Sequence, residues 1–226
     1  MIPRRRSPYA SALAEGEVHV WPVPLPAPGD AVERVLALYG RPGEGPPALA
    51  RGAGKPGLEG WGGDVRFNLA RARGLLLVAV ARGREVGVDV EALGRGPWLS
   101  LPGHVLTPGE RRSLDGLPAA ARDAAFLRLW ARKEAVLKAA GVGLAVDPAV
   151  VGVSGAGDPA VVLELPGPIG PAARYGLADL ELPGYAAAVA VERPHGAVTV
   201  LTGSSRWRGV LTKCLRPRDL GLTAAV

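Results

Sequence analysis

The sequence predicts an α+β fold built as two halves of mixed helix and strand character, and three features predict it. Short apolar segments suited to strands recur on both sides of a Gly- and Pro-bearing stretch at residues 94–103. Each side also carries a segment with helical character, residues 30–39 before the stretch and 119–140 after it. The chain has 226 residues, of which 48% are hydrophobic and 21% charged, enough apolar mass for one large core or two small ones and too much for disorder. The expected boundaries are 1–95 for a shortened N-terminal half, 96–202 for a C-terminal half and 203–226 for a basic tail.

In chain order, residues 16–23 alternate polar and apolar side chains as a strand does, and Pro22, Pro24 and Pro26 end it. Asp30 stands as N-cap to a helix reaching Tyr39. Residues 41–63 are rich in Gly and Pro and read as loop. Residues 75–81, the link Arg82-Gly83-Arg84 and residues 85–91 read as a β-hairpin. Its second strand turns Val86, Val88 and Val90 to one side and Gly87, Asp89 and Glu91 to the other. Thr107-Pro108-Gly109-Glu110 is a helix start, with Thr as cap, Pro at the first helical position and Glu where a capping box needs it. The helix from about 119 to 140 stops before Gly141 and Gly143. Strands are expected at 150–153, 161–165, 174–182, 186–191 and 198–201, and a loosely held tail beyond 203.

Composition excludes several classes. The longest apolar run, residues 75–81, is too short to cross a bilayer, and the basic start Met1-Ile2-Pro3-Arg4-Arg5-Arg6 lacks the apolar core of a signal peptide. One cysteine, Cys214, forbids an intrachain disulfide and a multi-cysteine zinc site, so a soluble cytoplasmic protein without membrane attachment is expected. The net charge of +6 suits a phosphate-bearing ligand, nucleic acid or an acidic protein partner. At 5% aromatic content, stacking platforms for single-stranded nucleic acid are lacking, which turns the reading away from that partner. Only Lys55, Lys133, Lys138 and Lys213 are lysines among the 27 basic residues; where arginine is the default cation, a lysine is informative.

Two places can carry chemistry. Asp89 and Glu91 project from one side of an otherwise apolar strand; alone, such a pair is most often a solvated sheet face. Trp130, Glu134 and Lys138 recur every four residues and share one helix face; alone, they are an ordinary surface ion pair. Together they offer three carboxylates and an amine, the material of an oxygen-ligand site for Mg²⁺ bridged to phosphates.

The run Gly87-Val88-Asp89-Val90-Glu91, followed by Leu129-Trp130-Ala131-Arg132-Lys133-Glu134-Ala135-Val136-Leu137-Lys138, resembles the paired signature of the 4'-phosphopantetheinyl transferases of the Sfp type. Gly54-Lys55-Pro56, Phe67-Asn68-Leu69, Leu106-Thr107-Pro108-Gly109-Glu110 and Gly184-Tyr185-Ala186-Ala187-Ala188-Val189-Ala190 add to the resemblance. It implies a monomer with a pseudo-twofold pair of α+β halves and coenzyme A in the cleft between them. It also implies Mg²⁺ on the diphosphate and transfer of the phosphopantetheine arm to a serine of an acyl, peptidyl or aryl carrier protein. Carried over, the resemblance assigns Asp89, Glu91 and Glu134 to the metal, Glu134 to the serine proton, Lys138 to the transferred phosphate, Lys55 to the nucleotide phosphates of the coenzyme, and Lys133 to the coenzyme site or to bracing it.

Two departures fall on coenzyme A recognition. After Phe67-Asn68-Leu69 the family carries Ser-His-Ser, whereas this chain has Ala70-Arg71-Ala72, with Arg71 the one candidate to replace the histidine. The N-terminal half also has a single helix where the family has more. A second reading therefore stands beside the first: a transferase-like protein of a biosynthetic pathway whose activity is lost or exchanged.

Overall fold

The computed structural model describes residues 13, 17–40, 47–50, 57–59, 64–94, 105–192, 198–203 and 210–215. Two sheets form its centre. In the first, β1 (Val18–Pro24) is flanked on one side by β5 (Leu75–Arg82), antiparallel, and on the other by β11 (Val198–Gly203), parallel. Outside them lie β4 (Val65–Ala72), paired with β5, and β12 (Val210–Leu215), paired with β11. The second sheet is fully antiparallel, in the order β6 (Val86–Ala92), β10 (Tyr185–Glu192), β9 (Tyr175–Asp179). Two small ribbons complete the strands: β2 (Ala48–Ala50) with β3 (Gly57–Glu59), and β7 (Gly152–Val153) with β8 (Val162–Glu164).

Period-two alternation divides the side chains into layers. Val18, Val20, Ala79 and Ala81 of the first sheet pack against Val86, Val88, Val90 and Val189 of the second. On the outer face of the first sheet, Trp21, Phe67, Val78 and Val80 cover Val35 and Leu36 of helix α1 (Ala31–Ala37). On the outer face of the second, Leu177, Ala186, Ala188 and Ala190 receive helix α3 (Ala119–Ala139), which α2 (Pro108–Asp115) joins through Leu114. The order helix, sheet, sheet, helix confirms the α+β class.

Several local expectations hold. Thr107 caps α2 with a full capping box: its backbone N–H donates to Glu110 Oε2 at 2.8 Å and its hydroxyl accepts from the Glu110 N–H at 3.3 Å. Helix α3 ends before Gly141, which takes φ 73° where a side chain would be strained. Others are corrected. Asp30 precedes α1 but makes no side-chain cap; its carboxylate instead accepts from Arg34 Nε at 2.8 Å. The first part of the strand expected at 150–153 belongs to a 3-10 turn, Pro148–Val150. Part of the expected loose tail, Val210–Leu215, is the edge strand β12.

The largest correction concerns the hairpin over 75–91. β5 and β6 do not pair: β5 has β1 on one edge and β4 on the other, so no edge is left for β6. The hairpin is β4–β5, closed by Arg73-Gly74 with Gly74 at φ 77°. β6 crosses into the second sheet, and β11 and β12 return to the first, so sheet membership does not follow a boundary at 95. Where edge strands β4 and β6 meet, Asn68 Oδ1 accepts the Val88 N–H at 3.0 Å, giving a buried backbone donor the partner that no strand supplies.

Candidate active site

The site forms where β6 and α3 lie back to back. Gly87 permits the approach: a methyl group there would overlap the backbone at Ala135 O and Ala139 N. The same strand face continues with Asp89 and Glu91 toward the N-terminal half of α3. From the helix, Lys138 Nζ donates to Asp89 Oδ1 at 2.6 Å and to Val88 O at 3.4 Å, and Trp130 Nε1 donates to Glu91 Oε1 at 3.2 Å. Glu134 stands one turn from each of these helical residues, at 8% exposure, while Asp89 is at 5%. The structure thus brings Asp89, Glu91, Glu134 and Lys138 into one electrostatically coupled cluster.

Two oxygens of this cluster, Asp89 Oδ2 and Glu134 Oε1, are buried without a hydrogen-bond partner. Such groups are costly unless something else satisfies them. Burial pushes Asp89 above the usual carboxylate range, against the pull of the Lys138 ammonium. Burial and the Asp89 charge likewise raise Glu134, with Lys138 opposing, and they push Glu91 to about 6 although the Trp130 indole favours its charged form. Among the described residues no three acidic, histidine or cysteine side chains converge into a ready-made cation cage. Mg²⁺ needs none, since it takes one or two carboxylates and completes its octahedron with waters and substrate phosphates. Hard oxygen donors, two of them orphaned, fit that ion.

Of the two places expected for Lys133, in the coenzyme site or bracing it, the structure gives the second. The lysine is fully buried, and Nζ donates to Pro148 O and Val151 O, both at 2.8 Å, and pairs with Glu110 Oε2 at 2.7 Å. An ammonium has three N–H bonds, so none is left for a ligand; Lys133 braces α3 against α2. Arg71 is exposed and registers with Leu76, on the β4 face shared with Phe67 and Leu69 that looks toward α1. It is not brought to the carboxylates. Lys55 lies outside the described residues.

Arg132 had no role assigned from sequence, yet it organises the helix's other flank. Nε and Nη2 hold Asp179 of β9 at 2.9 and 2.7 Å. Nη1 reaches Ser154 O and Gly155 O, and Nη2 reaches Asp158 O, all at 2.8 Å. Its fork ties α3 to the loop between β7 and β8. The sequence carries no mark that separates Arg132 from its charged helical neighbours Arg128, Lys133 and Glu134.

The family model of the 4'-phosphopantetheinyl transferase superfamily matches residues 85–190, which contain every member of the cluster. Over that segment, just under half of its length, the chain is similar to that superfamily. It is 34% identical over 89 residues to the 4'-phosphopantetheinyl transferase AcpT of Salmonella typhimurium, covering 39% of this chain and 46% of that protein. It is 40% identical over 80 residues to the 4'-phosphopantetheinyl transferase HetI of Nostoc sp., covering 35% of this chain and 34% of that protein. The chain spans less than half the length of these curated relatives. A crystal structure of Thermotoga maritima holo-(acyl-carrier-protein) synthase aligns with a TM-score of 0.41 and 21% identity, over 54% of this chain and 70% of that one. Lys55 and Arg71 fall outside the superfamily segment.

Proposed function

We propose that this chain transfers the 4'-phosphopantetheine arm of coenzyme A to a serine hydroxyl of an acyl or peptidyl carrier protein, with Mg²⁺. The observation that carries the reading is the pair of buried, unsatisfied carboxylate oxygens on Asp89 and Glu134 beside the Lys138 amine. Of Asp89, Glu91 and Glu134, one or two carboxylates at a time would hold the ion, which when bound would supply charge neutralisation at the diphosphate. Glu134, made more basic than an ordinary carboxylate by burial and by Asp89, accepts the serine proton directly or through a water. The serine Oγ forms the new P–O bond at the phosphorus bearing the pantetheine arm, and the bond to 3',5'-adenosine bisphosphate breaks. Lys138 places a compact cation on the transferred phosphate, so the residues contribute positioning and charge. Trp130, through its bond to Glu91, fixes that carboxylate's orientation.

The test is to incubate the protein with coenzyme A, Mg²⁺ and several apo-carrier proteins and to weigh the carriers. A mass gain of one phosphopantetheine group is expected, and Glu134→Gln should lower its rate by about a hundredfold or more. A second reading, in which the fold is kept and the activity lost or exchanged, is favoured by the position of Arg71, turned toward α1 and away from the carboxylates. No mass gain with any carrier, together with no coenzyme A heat in calorimetry, would establish that reading instead.

A further inference from the structure

Lys138 holds Asp89 with a 2.6 Å ion pair inside a cluster where Asp89, Glu91 and Glu134 are electrostatically coupled to that amine. Asp89 is at 5% exposure, and its one engaged oxygen is the one turned to Lys138; its other oxygen has no partner. The amine is more accessible, with its side chain at 26% exposure, and a further bond to Val88 O at 3.4 Å holds it down. The tether is a flexible four-carbon stem on the last turn of α3, so the ammonium can swing out without moving the helix. The buried acid is fixed on its strand and the lysine is the mobile partner.

Resting on the metal reading above, we propose that Lys138 is a tethered competitor for the cation: it occupies Asp89 in the free protein and must leave it before Asp89 can ligate a divalent ion. Once released, the ammonium needs an anion, and the phosphate being transferred is that anion. Lys138 thereby couples cation and diphosphate binding: each partner makes the other's binding more favourable, and by linkage the coupling is mutual. The free cation alone binds weakly because it must displace a hydrogen-bonded amine from a buried carboxylate.

Amine labelling of the intact wild-type protein reads this directly. Lys138 is acetylated with an activated ester, and its extent is followed by peptide mass spectrometry, with fully buried Lys133 as the internal unreactive control. Mn²⁺ alone should raise the labelling rate of Lys138 several-fold, and adding coenzyme A with Mn²⁺ should bring it back down. Free Mn²⁺ is measured in parallel by electron paramagnetic resonance, where Lys138→Met should bind the ion about tenfold tighter than wild type. Circular dichroism checks that the variant folds, and the wild-type labelling stands whether or not it does. If Mn²⁺ binds wild type while the labelling of Lys138 is unchanged or lower, the exchange is overturned and the metal site survives. If Mn²⁺ binds neither alone nor with coenzyme A, the metal reading falls, and the exchange with it.

Discussion

Lys133 and Glu134 are neighbours in sequence with opposite fates, and their difference shows how much of a site a helix can hide. Glu134 faces β6 and the carboxylates, whereas Lys133 is spent on Glu110 and two carbonyls. Burial depresses its ammonium while Glu110 restores it, so the pair holds only if both stay. Lys133→Met should destabilise the fold by about 3–5 kcal/mol, because it removes the cation paired with the buried Glu110 side chain. Urea denaturation measures this; a loss below about 1 kcal/mol would show that Lys133 is not the brace described. Asp89, Glu91, Glu134 and Lys138 were legible in the sequence because strand and helix periods place each set on one side. Which of its two expected places Lys133 takes was not, because residues 131–137 of α3 are buried on every side and no periodicity marks which face meets the site.

At the level of elements, the contact between β6 and α3 decides whether the site exists. Gly87→Ala should push the helix off the strand and cost about 3 kcal/mol or more, since the overlapping atoms are backbone and have no rotamer to escape into. Thermal unfolding of this variant against wild type would test it, with a near-wild-type melting point counting against the close approach. Most helices and strands were visible beforehand from caps, glycines and alternation. The pairing of β5 was not: an apolar strand between two apolar neighbours carries no mark of which one it will choose. Gly74, in a two-residue link, was the local clue that β4 claims that edge.

On the scale of the whole molecule, strands cross between the sheets in both directions: β6 joins the later segment and β11 the earliest. Neither sheet can be completed by its own stretch of sequence. Unfolding should therefore be one cooperative transition, with far- and near-ultraviolet dichroism melting together; two separate steps would contradict the interlock. Acid should weaken the fold through His19. Trp21 Nε1 donates to the Tyr39 hydroxyl at 2.6 Å, and His19 Nδ1 shares a hydrogen bond with the same hydroxyl at 2.9 Å. Burial lowers the imidazole to about 4 from 6.5. The unfolded chain then binds a proton that the native one refuses, so the stability present above pH 6.5 declines as pH falls toward 4, by up to about 3 kcal/mol. Melting points of wild type and His19→Gln between pH 7 and 4.5 should diverge, wild type falling faster; parallel curves would remove His19 from the account. The parallel pairing of β1 with β11 also sets a timetable. Val18 meets Val198, so at roughly 5–20 residues per second the ribosome needs about 10–40 s to supply the partner of a strand it has already made. For that interval a nascent chain displays an open, valine-bearing edge, which chaperones or neighbouring polysomes will meet before β11 does.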